Sequence, residues 1–298
     1  MTCPDVVSVR FLTPSGRRSG RGGTGPVRYG AAMPEEIADV LRTERRPGGV
    51  VVLTLNDPSR RNAMSDAMTA AWTAAMDGLR TDRDVRCVVL TGAGSAFSSG
   101  GDLPWLADAN AVPVPALRDR MLAFYRTWLA IRELEVPTIA AVNGHAVGAG
   151  LCLALACDLR YAAAGAKLLA PFTALGLHPG MAATWLLPEV AGLPLAREML
   201  LAGRVVTGAE AERHGLVNRA VEDGKVLDEA LAVAHRVAAQ APIATRLTKV
   251  ALAGGGHPDQ ESALRWESLA QPVTMASKDM LEGLAAQREG RAPRFTGE

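Results

Sequence analysis

Net charge is almost absent from this sequence: 32 Lys and Arg residues stand against 31 Asp and Glu, a formal +1 at pH 7 over 298 residues. That balance excludes a general electrostatic attraction to nucleic acid or to an anionic membrane, and leaves only local basic clusters open. Cysteine is scarce as well. Cys3, Cys87, Cys152 and Cys157 show no CxxC spacing, and the last three lie in apolar runs expected to be core, which points to a reduced, cytoplasmic setting. The longest apolar runs break well short of the ~20 residues that span a bilayer, and no signal-peptide core is present, so a soluble protein is expected. Five histidines are scattered without a His/Cys/Asp ligand cluster, so no metal site is expected. The Gly-rich turns lack the GxxxxGK(S/T) pattern, and GAGSAFSSGG does not reproduce GxGxxG with its following acidic residue. Nucleotide hydrolysis, flavin and nicotinamide are therefore unsupported.

Apolar surface, by contrast, is plentiful. With 48% hydrophobic residues the chain can bury a sizeable core, and alternating strand and helix patterns favour one α/β domain with a helical tail. Residues 1–44 depart from the rest. Five arginines and several glycines without an acidic residue lie between Arg10 and Arg28, which reads as a disordered basic arm. Such an arm is a nucleic-acid tether, an organellar transit peptide, or an extension ahead of a natural beginning at Met33. Its shortness and lack of interleaved aromatics favour the last. The body is expected over 45–253, and Gly254-Gly255-Gly256 opens a C-terminal helical region, 254–298.

Within the body, Val50 to Leu55, Val88-Val89-Leu90 and Thr138 to Val142 read as buried strands. Ser65 can cap a helix whose Met68, Trp72, Ala75, Met76 and Leu79 share one face. A second amphipathic helix, roughly 116–134, aligns Leu117, Met121, Phe124, Trp128 and Ile131, a stripe that reads as packing rather than as a cofactor box. Thr207-Gly208-Ala209-Glu210 is a capping box for a helix running toward a structural His214 and ending at Gly215. A last helical stretch is expected from Pro258 to about Arg288.

Two Gly-rich segments, each after an apolar run, stand out: Gly92 to Leu103, GAGSAFSSGGDL, and Ala141 to Gly150, AVNGHAVGAG. Leu151 to Ala156 continues the second as a small-residue helix, which puts unpaired N–H groups at a helix N-terminus. One such turn alone is explained by tight packing of helix on sheet. Two together look like an oxyanion hole, in which losing one donor costs about 2.7–4 kcal/mol.

Together with Asp57 to Ser65, DPSRRNAMS, these segments resemble the enoyl-CoA hydratase/isomerase family, also called crotonases, over about Gly49 to Gly297. The resemblance implies an α/β fold, a spiral of ββα repeats with a C-terminal helical region, that binds an acyl-CoA thioester and stabilises its enolate. By the same alignment the oxyanion N–H groups belong to Gly101 and Ala149. Arg60 or Arg61 would meet coenzyme A phosphate, unless both are solvated surface charge. The backbone near Ala63 would meet adenine, Ser99 is grouped with these contacts, and Lys249 is a further, weaker candidate. Coenzyme A carried by the substrate is the one cofactor implied, with none bound permanently. In this family the C-terminal segment covers the acyl pocket and builds homotrimers, often paired into hexamers.

The departures from the family pattern bear on the chemistry. One glutamate of the family's hydratases falls at Cys152, three residues after Ala149, and the second follows a proline where this chain has Pro171-Phe172. The carboxylate of certain isomerases falls at Gly180. Hydration needs one group to activate water and another to protonate carbon, each typically worth 10²–10⁴-fold, so two-glutamate hydration is not expected. Histidine titrates near neutrality, which makes His178, in GLHPGM, the best replacement acid or base. The alternative is a loop histidine bonded to backbone. His145 more readily shapes its turn or meets coenzyme A than acts in catalysis, Cys152 reads as an inert core thiol, Asp102 as the cap of the following helix and Asp158 as structural. Phe172, Leu175 and Trp185 suggest an apolar acyl wall beside Cys152 and Gly180, although core packing accounts for them equally. Three functions follow: enoyl-CoA isomerisation first, decarboxylation of a malonyl-type thioester next, and a non-catalytic acyl-CoA binder beside them.

Overall fold

A computed structural model of the chain describes residues 40–102, 107, 111–253 and 256–298. The expected Arg-rich stretch and Met33 lie outside the described residues, as does the helix that Asp102 was expected to cap. The strands, in chain order, are β1 (Leu41–Arg46), β2 (Val50–Leu55), β3 (Cys87–Gly92), β4 (Ala96–Ser98), β5 (Thr138–Val142), β6 (His145–Val147), β7 (Leu159–Ala163), β8 (Lys167–Leu169), β9 (Val206–Thr207) and β10 (Arg219–Val221). They form a six-stranded sheet in the order β1-β2-β3-β5-β7-β10 and a four-stranded sheet in the order β4-β6-β8-β9. All neighbours run parallel except the two antiparallel pairs at the ends, β1 with β2 and β8 with β9. Buried parallel strands read as continuous apolar runs. β2, β3 and β5 do so, with Val50 to Leu53, Cys87 to Leu90 and Ile139 to Val142 all buried.

The described helices are α1 (Asp66–Thr81), α2 (Val114–Leu129), α3 (Ala149–Leu155), α4 (Ala183–Leu201), α5 (Gly208–Arg213), α6 (Val226–Ala238), α7 (Pro242–Leu252), α8 (Gln260–Met275) and α9 (Lys278–Glu289). Three times a long strand enters the large sheet and the short strand after it enters the small one: β3 to β4, β5 to β6, β7 to β8. The last two pairs lead directly into α3 and α4, which makes the fold a spiral of ββα units closed by C-terminal helices. Ser65 Oγ accepts from Met68 N at 3.3 Å to start α1. Trp72 and Trp128 stack at 5.0 Å between α1 and α2. Their indole N–H groups donate to Thr127 O at 3.1 Å and Thr69 Oγ1 at 3.2 Å, so both rings are core with every polar atom satisfied.

Three expectations need correction. The arm does not extend to residue 44: β1 begins at Leu41 and pairs with β2 along its length. Its sequence, LRTERR, hides the strand because Leu41 alone is buried, and a charged edge strand carries little apolar signal. The second helix ends at Leu129, where a tighter turn, Ala130–Glu133, takes over and carries buried Ile131. The last helical stretch is two helices, broken at Ala276 and Ser277, with Ser277 Oγ accepting from Met280 N at 3.2 Å to restart it.

Candidate active site

Both Gly-rich segments leave the large sheet at neighbouring strand ends, β3 and β5, and Asn143 ties them together. Its Oδ1 accepts from Gly92 N at 2.9 Å and Thr91 Oγ1 at 3.3 Å, while its Nδ2 donates to Gly94 O at 3.0 Å. A Cβ at Gly144 would collide with Ser95 O and lie 2.7 Å from the Ser95 carbonyl carbon, so glycine permits the close approach. One strand further, Gly100 has φ 82°, and a Cβ there would fall 2.5 Å from Val147 O, 3.0 Å from Ala149 N and 3.2 Å from Gly150 N. Gly100 and Gly101 therefore lie against the first residues of α3. Ala149 opens that helix, and the opening N–H groups of a helix have no partner within it. The structure thus brings together the two segments that hold Gly101 and Ala149.

The 57–65 loop is locked to the same place by Asn62, which is fully buried. Its Nδ2 donates to Ala93 O, Ala96 O and Phe97 O at 2.9, 2.8 and 3.2 Å, and its Oδ1 accepts from Asp57 N at 2.9 Å. Arg61 and Asn62 both sit in the left-handed region, with φ 52° and 56°. Met64 N donates to Gly100 O at 2.8 Å, and Ser99 N to Arg61 O at 2.9 Å, so the loop and the glycine turn share one short ladder. The sequence singled out neither Asn62 nor Asn143. Asn beside a turn, after Pro58 in one loop and before Gly144 in the other, was the available signal.

The expected coenzyme contacts divide. Arg60 is ion-paired with Asp102, which gives that carboxylate a partner the sequence did not indicate. Arg61 is exposed and has no side-chain partner among the described residues. Ala63 N donates to Arg60 O at 3.2 Å, and Ser99 Oγ donates to Arg60 O at 3.2 Å, which places all four residues in one loop cluster. Lys249 is a correction. Its ammonium is 8% exposed and bonded to Asp158 at 2.9 Å and to Val136 O at 2.8 Å. Asp158 also accepts from Thr138 N and Oγ1 at 2.7 and 2.8 Å, so Lys249 sits where β5 starts, while the glycine turn follows the end of that strand. It serves as a structural cation. A cavity of about 790 Å³ lies on that side; of the charges lining it, Lys249 pairs with Asp158 and Arg132 with Glu189, and the Arg160 guanidinium donates to Leu216 O and Cys157 O.

Around the head of α3 the chemistry is sparse. Cys152 is buried, burial pushes its thiol up to about 12, and Sγ lies 3.8 Å from Gly180 O, which leaves it an inert thiol. Phe172 is half-buried and packs toward Gly148, where a Cβ would be 3.8 Å from the ring. Leu175 is exposed in the turn that follows. Trp185 is 47% exposed, and the Arg132 guanidinium lies over its ring, 4.8 Å from the centroid, in cation–π packing. His178 is exposed, and its Nδ1 lies 2.9 Å from Pro179 O. A carbonyl only accepts, so Nδ1 donates here, and Nε2 has no partner among the described residues. His145 instead accepts from Lys167 N at 3.1 Å and shapes its turn. Tyr125 was not indicated by the sequence either. Tyr125, from α2, occupies the space a side chain at Gly180 would need. Among the described residues no His, Cys, Asp and Glu group is arranged to hold a metal ion, and no helix is long and apolar enough to cross a membrane.

A family model described as enoyl-CoA hydratase/isomerase matches residues 45–298. The chain is 38% identical over 255 residues to enoyl-CoA hydratase domain-containing protein 2, mitochondrial, of Bos taurus, covering 84% of this chain and 85% of that one. To methylglutaconyl-CoA hydratase, mitochondrial, of Homo sapiens it is 35% identical over 284 residues, covering 93% and 83% respectively. Among solved structures, an enoyl-CoA hydratase from Bacillus anthracis superposes with a TM-score of 0.81 at 33% identity, covering 87% of this chain and 100% of that one.

Proposed function

Because this chain belongs to the enoyl-CoA hydratase/isomerase family and is one of its acyl-CoA enzymes, we propose that its reaction is the isomerisation of an enoyl-CoA rather than two-glutamate hydration. One observation carries this reading: the paired glycine turns are intact, while Cys152, Phe172 and Gly180 put no carboxylate beside them. Main-chain donors survive such a loss and can still stabilise an enolate oxygen, at about 2.7–4 kcal/mol per donor. Gly101 N–H and Ala149 N–H are the donors. His178 Nε2, free because Nδ1 is spent on Pro179 O, removes a proton from the carbon next to the thioester. With Arg60 turned to Asp102, the coenzyme phosphate falls to Arg61, and the backbone at Ala63 and Ser99 holds the rest. The names of the relatives, both hydratases, support hydration as the competing reading. Decarboxylation of a malonyl-type thioester stays behind both, since it needs the oxyanion donors and an acid but no base.

Assembly as a homotrimer or a dimer of trimers, with no nucleic-acid or membrane partner, and a cytoplasmic location belong to the same reading. Three buried free thiols, Cys87, Cys152 and Cys157, support a reducing compartment. The deciding experiment is mass-spectrometric turnover of 2-enoyl, 3-enoyl and malonyl-type thioesters by wild type and His178→Ala. Interconversion of 2- and 3-enoyl isomers that falls at least 10²-fold in His178→Ala is expected. Rapid hydration by wild type would overturn isomerisation, and loss of carbon dioxide would establish the decarboxylase.

A further inference from the structure

We propose that the Tyr125 hydroxyl is the acid that returns a proton to substrate carbon in this site, in place of the absent carboxylates; the assignment rests on the isomerase reading above. Tyr125 comes from α2, far in sequence from both glycine turns, and the fold delivers its phenol to the head of α3. A Cβ built at Gly180 would overlap the phenol oxygen and lie 2.9 and 3.2 Å from ring carbons Cζ and Cε1. Gly180 O in turn lies 3.8 Å from Cys152 Sγ. Cys152 is one helical turn beyond Ala149 on the same face, so the hydroxyl stands one turn along from the N–H proposed to hold the enolate oxygen.

Three further observations favour chemistry over filling. The hydroxyl has no hydrogen-bond partner among the described residues, whereas both tryptophan N–H groups of the neighbouring core are satisfied. The residue is half-buried, so the phenol is neither sealed in the core nor free in water. Glycine at 180 leaves the room, and alanine would close it. Burial and the Cys152 thiol also push the phenol above its ordinary titration range, so the hydroxyl still carries its proton when the dienolate forms.

The proton count closes without a co-reactant. The base removes a proton from the carbon next to the thioester carbonyl of a 3-enoyl substrate, and that C–H pair becomes part of a dienolate. The O–H bond of Tyr125 then breaks as a new C–H bond forms at the far end of the dienolate. The displaced electrons restore the carbonyl and leave a 2-enoyl thioester. The phenolate recovers its proton from the protonated base, so base and acid both return to their starting forms.

Tyr125→Phe removes one oxygen and keeps the ring, so it is the variant to measure, with 3-enoyl-CoA as substrate and butanoyl-CoA as a non-reacting binding probe. A fall in kcat of at least 10²-fold is expected, with KM and butanoyl-CoA affinity within threefold of wild type. Wild-type kcat should also decline at alkaline pH as the phenol ionises, a limb that the variant lacks. Gly180→Ala should reproduce the loss by displacing the phenol. If wild type isomerises and Tyr125→Phe retains kcat within threefold, this assignment fails alone. If wild type turns over none of the thioesters, the isomerase reading fails and takes the assignment with it. Should Tyr125→Phe not fold, Gly180→Ala decides, because a folded Gly180→Ala enzyme that keeps kcat within threefold of wild type overturns the role.

Discussion

Asn62 concentrates at one residue what the site requires of the chain. It is buried, holds a left-handed backbone and satisfies three carbonyls and one N–H from two different loops. Replacing it by alanine strands those groups and puts a Cβ-branched-free but non-Asn residue where φ is positive, a position Asn tolerates better. Asn62→Ala is expected to cost about 3 kcal/mol, the sum of a few hydrogen bonds at roughly 1 kcal/mol each and local strain, read as a lower urea midpoint at unchanged slope. Legibility at this scale depended on whether a residue acts through its own backbone. The two segments that hold Gly101 and Ala149 could be picked out from sequence because turn glycines announce close main-chain approach. Lys249 and Tyr125 could not, since Asp158 and Gly180 are supplied by the fold and leave no mark in the neighbouring sequence.

Elements were readable where a local hydrogen bond or a long apolar run defines them. The capping box is present in full: Glu210 N donates to Thr207 Oγ1 at 3.3 Å and Thr207 N to Glu210 Oε2 at 2.9 Å. Thr207→Ala is expected to lower stability by about 1 kcal/mol, visible as a small drop in Tm without loss of fold. The short strands β4, β6 and β8 were hidden, because three residues cannot display the alternation that identifies a strand, and β4 and β6 lie inside Gly-rich runs as well. At the other end of the chain, α9 is joined to the tail by Glu282, which accepts from Arg291 Nη1 and Nη2 at 2.6 and 2.9 Å and from Arg294 N at 2.7 Å. The Arg291 guanidinium, with the Arg294 N–H, holds the Glu282 carboxyl down at about 2, below its ordinary 4.5. A depressed carboxylate stabilises the fold above its unfolded value and loses that contribution as pH falls through the folded one. Amide exchange in residues 291–298 should therefore accelerate as pH falls from 4.5 toward 2, after correction for intrinsic exchange, and Glu282→Gln should show the faster rate already at neutral pH.

At the scale of the whole molecule β2, β3 and β5 of the large sheet were legible as apolar runs, but its remaining strands, its partner sheet and the docking of the tail were not, since these rest on pairings between distant segments. Arg86 shows why: its guanidinium donates to Ala238 O at 3.2 Å and Phe295 O at 2.7 Å, joining residues far apart in sequence. The tail is thus fixed to the body, yet the C-terminal helices expose large apolar side chains. Leu269 is 72% exposed and Val273 54%, one turn apart on α8, and Leu281 on α9 is 66% exposed. Contiguous apolar surface of this kind marks an association face. The proposed trimer or hexamer gives it an occupant, a second copy of the chain. Sedimentation of wild type at micromolar concentration is then expected to give three or six times 31.3 kDa, and Leu269→Glu with Val273→Glu the mass of one chain. Both substituted positions are exposed, so the double variant should keep its circular dichroism spectrum, and a folded monomer would attribute the loss of mass to the interface. Wild type sedimenting as a single chain would instead leave α8 without the partner its sequence implies and would overturn the proposed assembly.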